Sequence, residues 1–161
     1  MKLYVMNAAP EGSYSERLDT AVEEVFQTML GVNCTSLEVS GHTLREESYG
    51  AVVGFAGAMR GSCVVRVDRA SGLLLAELLT GMEQSDEATI QDGLGEVCNM
   101  IAGTWKGAIR KLASGCMLSP PTVIAGYDFR LHSQPMPLQI QARYRFASAE
   151  LEVILQGDLE E

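Results

Sequence analysis

Residues 92–112 carry polar side chains at spacings that would bring them to one face of a helix. Their sequence is DGLGEVCNMIAGTWKGAIRKL, in which Asp92 precedes Glu96 by four residues and Asn99 follows three residues later. Carboxylates accept hydrogen bonds, whereas the carboxamide of an asparagine both donates and accepts them. Such a face can meet water or a partner, but the spacing alone is equally typical of an ordinary solvated helix surface.

The same stretch contains four glycines, which is unusual for a helix. Each interior glycine lowers helix stability by about 0.5–1 kcal/mol relative to alanine. We expect Gly93 and Gly95 to serve packing within the chain. Gly103 and Gly107 fall beside Asn99 on the polar face, where a missing side chain lets another backbone approach closely. The alternative is that the chain simply tolerates a weak helix.

The other side chains of this stretch divide between the same two faces at about 100° per residue. Lys106 and Arg110 join the polar face, which is expected to face water or a partner. The opposite face is apolar and should face the core with Leu94, Cys98, Ile101, Trp105, Ala108, Ile109 and Leu112.

Helix signals occur at three places in the chain. Ser13 opens a capping-box pattern, and the apolar spacing after it predicts a helix over 14–30. Ser71 is a candidate cap for a second helix, which should end at Gly81. The stretch described above lies in the third helix, predicted to run from about residue 86 to about 114.

Strand signals lie on both sides of the second and third helices. The β-rich segments 48–59 and 62–68 flank Arg60 and Gly61, and they predict two strands joined by a hairpin after the first helix. Further on, a strand candidate over 116–126 is interrupted or flanked by Pro120 and Pro121, which cannot donate hydrogen bonds to a neighbouring strand.

The end of the chain alternates between apolar and polar residues. Residues 127–137 read as a loop, and the alternation after it predicts two strands joined by a tight turn near 147–148. In that register Arg145 faces Glu150 and Arg143 faces Glu152, and each pair of opposite charges modestly favours the pairing. The apolar positions are Leu138, Ile140, Ala142, Tyr144, Phe146, Ala149, Leu151, Val153 and Leu155.

Hairpin strands with interspersed helices, and no regular β-α-β alternation, predict an α+β domain. We expect an antiparallel β-sheet with long helices packed on one face. No linker or low-complexity segment divides the chain, so residues 1–161 are predicted to form a single domain, with residues 1–12 as a loosely attached N-terminal segment.

Composition narrows the possible functions. The 161 residues are 47% hydrophobic and 20% charged, which is ordinary for a globular protein, and the formal net charge is −9. This charge argues against nucleic acid and anionic membranes as partners, because both are bound through clustered basic residues. No apolar run approaches the length of a spanning helix or a secretory signal, so we expect a cytoplasmic protein.

Metal and disulfide chemistry are not favoured. His42 and His132 have no second ligand at metal-binding spacing, so no metal site is expected. The cysteines stand far apart and are expected to be reduced and buried; they are Cys34, Cys63, Cys98 and Cys116.

The run from Asp92 through Glu96 and Asn99 to NMIAG, with Pro120 and Pro121 before TVIAG, resembles the signature of the CheC/CheX/FliY family of chemotaxis phosphatases. The CheX branch is the most similar, and the likeness covers roughly residues 15 to 157. The resemblance implies an α+β fold with two long helices exposed on one side. It also implies that the substrate is the aspartyl phosphate of a CheY-like response regulator.

The resemblance further implies a role for each residue of the motif. Glu96 would dock against the active-site lysine of the regulator, and Asn99 would reach the phosphoryl group and orient the attacking water. Asp92, Gly103 and Lys106, on the same face, are then expected to contact the regulator. The chain would need no cofactor of its own, because the regulator would supply Mg²⁺.

The first helix repeats part of this pattern, with Asp19 and Glu23 at matching spacing but Phe26 in place of the asparagine. Family members with two active sites carry the glutamate and asparagine pair on both helices. The resemblance therefore implies one working site here. By analogy with the CheX branch, a homodimer joined through its sheets is also expected.

Two other functions remain open at the level of sequence. One is a non-catalytic module that binds a response regulator or serves a signalling assembly with the same fold. The other is a ligand-binding or structural dimer unrelated to phosphate, which would be favoured if Asn99 were buried or hydrogen-bonded within its own chain.

Overall fold

A computed structural model describes residues 13–38, 47–83 and 86–160, and within them an antiparallel sheet of seven strands carries helices on one face. The predicted α+β class is confirmed. In chain order the elements are α1 Tyr14–Val25 with a π-helical segment Phe26–Leu30, β1 Cys34–Leu37, β2 Glu47–Gly57, β3 Met59–Asp68, α2 Arg69–Thr80, α3 Glu87–Gly107, α4 Arg110–Ala113, β4 Cys116–Leu118, β5 Thr122–Tyr127, β6 Leu138–Phe146 and β7 Ala149–Leu159. The expectation for residues 1–12 lies outside the described residues.

The strands follow the order β1-β6-β7-β3-β2, and the free side of β2 pairs with β4 near one end and β5 near the other. The interruption predicted at the proline pair is therefore confirmed. Side chains on the helix-facing side of the sheet, such as Tyr49 and Val53 of β2, are fully buried in one core with the inner faces of α1, α2 and α3. This core is where the amphipathic helices bury their apolar faces.

The C-terminal hairpin has the predicted register. Arg145 lies opposite Glu150 and Arg143 opposite Glu152, and the chain turns at Ala147 with a φ of 50°. The nine predicted apolar positions are all buried. The charges pair more diagonally than expected, because Glu150 accepts hydrogen bonds from both arginines, at 3.0 Å from Arg145.

The predicted turn of the first hairpin is wrong. The chain turns at Gly57, whose φ of 94° lies in the left-handed region, and Gly61 lies within β3. A Cβ at Gly61 would come 2.0 Å from the carbonyl oxygen of Gln156 in β7, so this glycine permits close strand approach. The sequence also missed β1, whose four residues are too few for a clear alternation.

The first two helices begin and end largely as predicted. The Ser13 hydroxyl caps α1 by accepting a hydrogen bond from the backbone N–H of Glu16 at 3.0 Å. The predicted cap of α2 is wrong: Asp68 accepts from the N–H of Ser71 at 2.7 Å, and Ser71 itself is buried. Gly81 ends α2 with a φ of 71°, as expected from the preference of left-handed caps for glycine.

The third helix ends earlier than predicted. α3 stops at Gly107, and Ile109 is extended, with φ of −111° and ψ of 113°, before the short α4. This break leaves carbonyl groups without helical partners. One of them, that of Ala108, accepts from the Arg17 guanidinium at 3.1 Å, which fastens the end of α3 to α1.

All four cysteines are buried free thiols, as predicted. Burial, assisted by the nearby charge of Glu23, raises the pKa of Cys34 to about 12. Among the helices of the described ranges, none is both long and apolar enough to cross a membrane.

Candidate functional site

The start of α3 is held firmly. The carboxylate of Asp86 accepts hydrogen bonds from the backbone N–H of Thr89 at 2.8 Å and from its hydroxyl at 2.7 Å. These hydrogen bonds lower the pKa of Asp86, the hydroxyl bond contributing most. The cap stabilises the ionised carboxylate at the positive end of the helix, two turns before the predicted site begins.

The inner face of α3 fixes how the helix is rotated. Trp105 is fully buried, and its indole N–H donates to the carbonyl oxygen of Tyr14 at 3.1 Å. The thiol of Cys98 lies 3.5 Å from the carbonyl oxygen of Ala51 and 3.4 Å from that of Cys63. Because Cys98 is anchored to the sheet, the next residue, Asn99, is turned about 100° from it around the helix axis and is half-buried.

The outer face of α3 presents the predicted trio. Asp92 and Glu96 are exposed, and Asn99 is half-buried. Within the described ranges, none of these three side chains makes a hydrogen bond or an ion pair. A carboxamide can both donate and accept hydrogen bonds, so one without an internal partner is available to water or to a second molecule. The condition that would have favoured a function unrelated to phosphate is therefore not met.

A short segment of chain runs beside Asn99 as a wall. A Cβ at Gly95 would lie 3.3 Å from Cγ of Pro121, and a Cβ at Gly103 would lie 3.7 Å from Cδ1 of Leu118. Gly95, Asn99 and Gly103 are four residues apart and so lie along one stripe of the helix. We call Leu118–Pro121 the wall segment.

The wall segment matches the length of the stripe. Eight residues of helix rise about 12 Å, and three residues of extended chain span about 10 Å. The wall segment therefore passes the turn of α3 that carries Asn99. Sequence patterns identified the proline pair but not Leu118. The signal that could have indicated a neighbouring segment of chain was the placement of Gly95 and Gly103, four residues before and after Asn99.

The other predicted contact residues differ in their surroundings. Gly103 is half-buried, and among the described residues a methyl group on its Cα would meet only Leu118 within 4 Å outside its own helix. Lys106 does not project freely: its ammonium donates to the carbonyl oxygens of Ala113 at 2.9 Å and Leu112 at 3.4 Å. Lys106 thus satisfies carbonyls at the end of α4, and the exposed charges beside Asn99 are the carboxylates of Asp92 and Glu96.

The partial repeat of the motif in α1 is built differently. The carboxylate of Asp19 accepts a hydrogen bond from the hydroxyl of Tyr144 at 2.7 Å, which ties it to the sheet. Phe26 is fully buried, with its ring centroid 4.9 Å from that of Phe146. Of the three positions that match the trio, Glu23 is exposed, and the position that matches Asn99 carries no amide.

One groove on α3 lies apart from the trio. A groove of about 220 Å³ lies between α1 and α3, where Glu16, Arg17, Thr20 and Glu24 face Thr104 and Ala108. Its residues come from the other flank of α3 from Asn99. No group of three or more histidine, cysteine, aspartate or glutamate residues within the described ranges could hold a metal ion.

The region that contains the trio matches a known family. The profile described as chemotaxis phosphatase CheX matches residues 49–141, which include the whole trio and the wall segment. A curated relative, the CheY-P phosphatase CheX of Thermotoga maritima, is 28% identical over 118 residues, which cover 70% of this chain and 76% of the relative.

Solved structures agree in fold. The CheX protein of Desulfovibrio desulfuricans has a TM-score of 0.75 at 22% identity, covering 89% of this chain and 98% of the other. The Vibrio vulnificus chemotaxis protein CheX has a TM-score of 0.74 at 17% identity, again covering 89% and 98%. A CheX-CheY-BeF3-Mg²⁺ complex from Borrelia burgdorferi has a TM-score of 0.73 at 22% identity, covering 90% and 97%.

Proposed function

The chain belongs to the chemotaxis phosphatase CheX family, and from this membership we propose that it hydrolyses the aspartyl phosphate of a CheY-like response regulator. One observation carries the proposal: the Asn99 carboxamide stands on the outer face of α3 with no hydrogen-bond partner among the described residues. The relative from Thermotoga maritima is a CheY-P phosphatase, and the neighbour from Borrelia burgdorferi is in complex with CheY.

Asn99 is the residue that orients water. Its carboxamide can accept a hydrogen bond from a water molecule and donate one to a phosphoryl oxygen, and it takes up no proton itself. A glutamine performs the same task in GTPases. Because the inner face of α3 is anchored through Cys98, the amide enters the partner's site from a rigid helix.

The reaction needs no nucleophile from this chain. The water oxygen forms a bond to phosphorus while the bond from phosphorus to the aspartyl oxygen breaks, which leaves the aspartate carboxylate and inorganic phosphate. The protons of the water pass to the phosphate and to solvent. An acyl phosphate is already activated, so positioning can supply the acceleration, and the regulator's own Mg²⁺ stabilises the phosphoryl charge.

Glu96 is the docking residue. It is exposed and lies three residues before Asn99, so a cation bound to its carboxylate would sit within one helical turn of the amide. A lysine in the regulator's phosphorylation site is such a cation. Asp92 and Gly103 extend the contact surface along the same stripe, whereas Lys106 contributes through its support of α4.

One working site is proposed for each chain. In α1 the position that matches Asn99 is the buried Phe26, which has no polar group to hold water. The aspartate of that partial motif is also engaged with Tyr144. The homodimer expected by analogy stays a prediction, which sedimentation velocity of the purified chain would test.

The test of the water-orienting role is Asn99→Ala. A CheY-like regulator is phosphorylated with acetyl phosphate and Mg²⁺, and release of inorganic phosphate is followed with and without the protein. We expect the variant to lose roughly 100-fold or more of the accelerated rate, as when one positioning donor is removed from an active site. Gln27→Ala is the matched control, because Gln27 is an exposed helical amide away from α3.

A second variant tests the docking role of Glu96 separately from the hydrolysis step. Glu96→Ala should raise the regulator concentration needed for half-maximal rate, with a smaller effect on the maximal rate, and Glu77→Ala on α2 serves as its control. If Asn99→Ala keeps the wild-type rate, the hydrolytic mechanism is wrong. Tight regulator binding without any acceleration by the wild-type chain would instead support the non-catalytic binding module.

A further inference from the structure

Ser119 occupies an unusual position between two strands on the same edge of β2. Its backbone N–H donates to the carbonyl oxygen of Gly54 at 2.9 Å, and its hydroxyl accepts from the N–H of Gly54 at 2.8 Å. The same hydroxyl donates to the carbonyl oxygen of Pro120 at 3.1 Å. One serine therefore supplies both of the bonds that a regular strand residue would exchange with Gly54.

This arrangement is needed because of the prolines that follow. Pro120 and Pro121 have no backbone N–H, so they cannot continue the hydrogen-bond ladder between β4 and β5. The Ser119 hydroxyl accepts from Gly54 where a regular strand residue would use its own carbonyl, and it also donates to the carbonyl of Pro120. The path of the wall segment is thus set at its midpoint by the Ser119 side chain together with one backbone hydrogen bond to Gly54.

The wall segment in turn limits where the Asn99 side chain can lie. Pro121 lies beside Gly95 and Leu118 beside Gly103, where a Cβ on either glycine would come within 4 Å of the wall segment, one turn on either side of Asn99. Asn99 is half-buried and has no hydrogen bond among the described residues, so no such bond fixes its side-chain orientation. A terminal amide torsion is soft, and only neighbouring atoms can narrow it.

We propose that Ser119 is a positioning residue for the phosphatase reaction: its clamp on Gly54 and Pro120 holds the wall segment against α3 and so orients the Asn99 carboxamide. The inference rests on the proposed function of Asn99. Ser119 acts through the wall and touches no reacting atom. Without the clamp, the amide would still reach the phosphoryl group but would spend less time in the productive orientation.

The test compares three variants in the phosphate-release assay with the acetyl-phosphate-treated CheY-like regulator. Ser119→Ala removes the hydroxyl and should lower kcat roughly 10- to 100-fold with KM for the regulator unchanged. Ser119→Thr keeps a hydroxyl and should restore most of kcat. Ser62→Ala is the matched control, because Ser62 pairs with Gly54 from the other side, in β3, and should leave both constants at wild-type values.

A double variant separates this inference from the function on which it rests. In an Asn99→Ala background, Ser119→Ala should produce no further loss, since there is no amide left to orient. If Asn99→Ala alone is inactive but Ser119→Ala matches Ser62→Ala, only the positioning role is overturned. A wild-type rate for Asn99→Ala overturns the proposed function instead.

Two further results would overturn the positioning role. One is a rise in KM at constant kcat for Ser119→Ala, which would place the residue in docking. The other is an equal loss in the alanine and threonine variants. If circular dichroism shows that Ser119→Ala does not fold, Leu118→Ala is the alternative variant, because it shortens the wall segment and leaves the Ser119 hydrogen bonds in place. It must lower kcat at constant KM. A wild-type kcat would refute the role of the wall segment in orienting Asn99.

Discussion

Replacing Gly103 by alanine should stabilise the fold and impair the function at the same time. A methyl group there would lie 3.7 Å from Cδ1 of Leu118, an ordinary van der Waals distance, and no other atom of the described residues outside its own helix comes within 4 Å. Gly103 lies inside α3, with helix on both sides. The variant should therefore gain about 0.5–1 kcal/mol from helix propensity, which raises the melting temperature by about 1–4 °C in a chain of this size.

The same methyl group would stand on the face that we assign to the regulator. Gly103 lies one turn after Asn99, so a partner whose phosphorylation site receives the amide must come close to it. We expect Gly103→Ala to raise KM about tenfold or more in the phosphate-release assay. The gain in stability excludes partial unfolding as the cause of the functional loss.

Gly95→Ala is the matched comparison within the same helix. Its methyl carbon would lie 3.3 Å and 3.4 Å from two ring carbons of Pro121, which is tighter than most contacts of this kind, and the ring cannot swing away. Overpacking typically costs about 1–3 kcal/mol, more than the gain in helix propensity. Gly95→Ala should therefore lower the melting temperature, unlike Gly103→Ala.

The comparison can fail in two ways. If both substitutions destabilise the protein equally, the space beside Gly103 is not open and our description of the outer face of α3 is wrong. A stabilised Gly103→Ala variant with wild-type kinetics would show that the regulator does not approach this turn.

Further predictions concern stability away from the site. Tyr144→Phe removes the hydrogen bond to Asp19 and should lower the free energy of unfolding by about 1–2 kcal/mol in urea titrations. The pKa of Glu150 is held below its ordinary value, first by its hydrogen bond with Arg145, so its stabilising effect is present above the unfolded pKa of about 4.3 and is lost as pH falls through the lower folded value. Glu150→Gln should accordingly lower the melting temperature at pH 7, with a difference that shrinks below about pH 4; a constant difference would contradict this. The four buried thiols, with the pKa of Cys34 raised to about 12, should react with a disulfide reagent at pH 8 only after addition of guanidinium.

Periodic patterns were the reliable part of the sequence. The register of β6 and β7 follows from strict alternation, because sliding one strand by a single residue would expose every apolar side chain of the pair. The two faces of α3 were separable for the same reason: the side that contains Cys98 and Trp105 must be buried, and this places Asn99 outside. Periodicity therefore suffices to locate the outer face of α3.

Features that depend on a third element could not be predicted from local sequence. Gly57 and Gly61 look alike in a β-rich stretch, yet one supplies the turn and the other admits the backbone of β7. Asp68 and Ser71 are both good caps. Asp68 caps α2 because the Ser71 hydroxyl instead accepts a hydrogen bond from the backbone N–H of Glu150 in β7. The hydrogen bonds of Lys106 to the end of α4 likewise depend on the break in the helix at Ile109, which the helical spacing of the sequence did not predict.

The outer face of α3 carries residues that make the helix less stable than alanine would. Asparagine and glycine at positions 99 and 103 together make the helix about 1–2 kcal/mol less stable than alanine at both would, a notable share of the roughly 5–15 kcal/mol typical of a folded domain. A Cβ at Gly93 would meet Leu79 and one at Gly95 would meet Pro121, so glycine at these positions permits close packing. At Asn99, no hydrogen bond within the described residues offsets the loss. Residues that weaken a helix without compensation inside the chain are expected at functional sites, such as a surface that must fit a second molecule. Under the proposed function, the unpaired amide and the bare turn beside it form the two halves of one docking surface for a phosphorylated regulator.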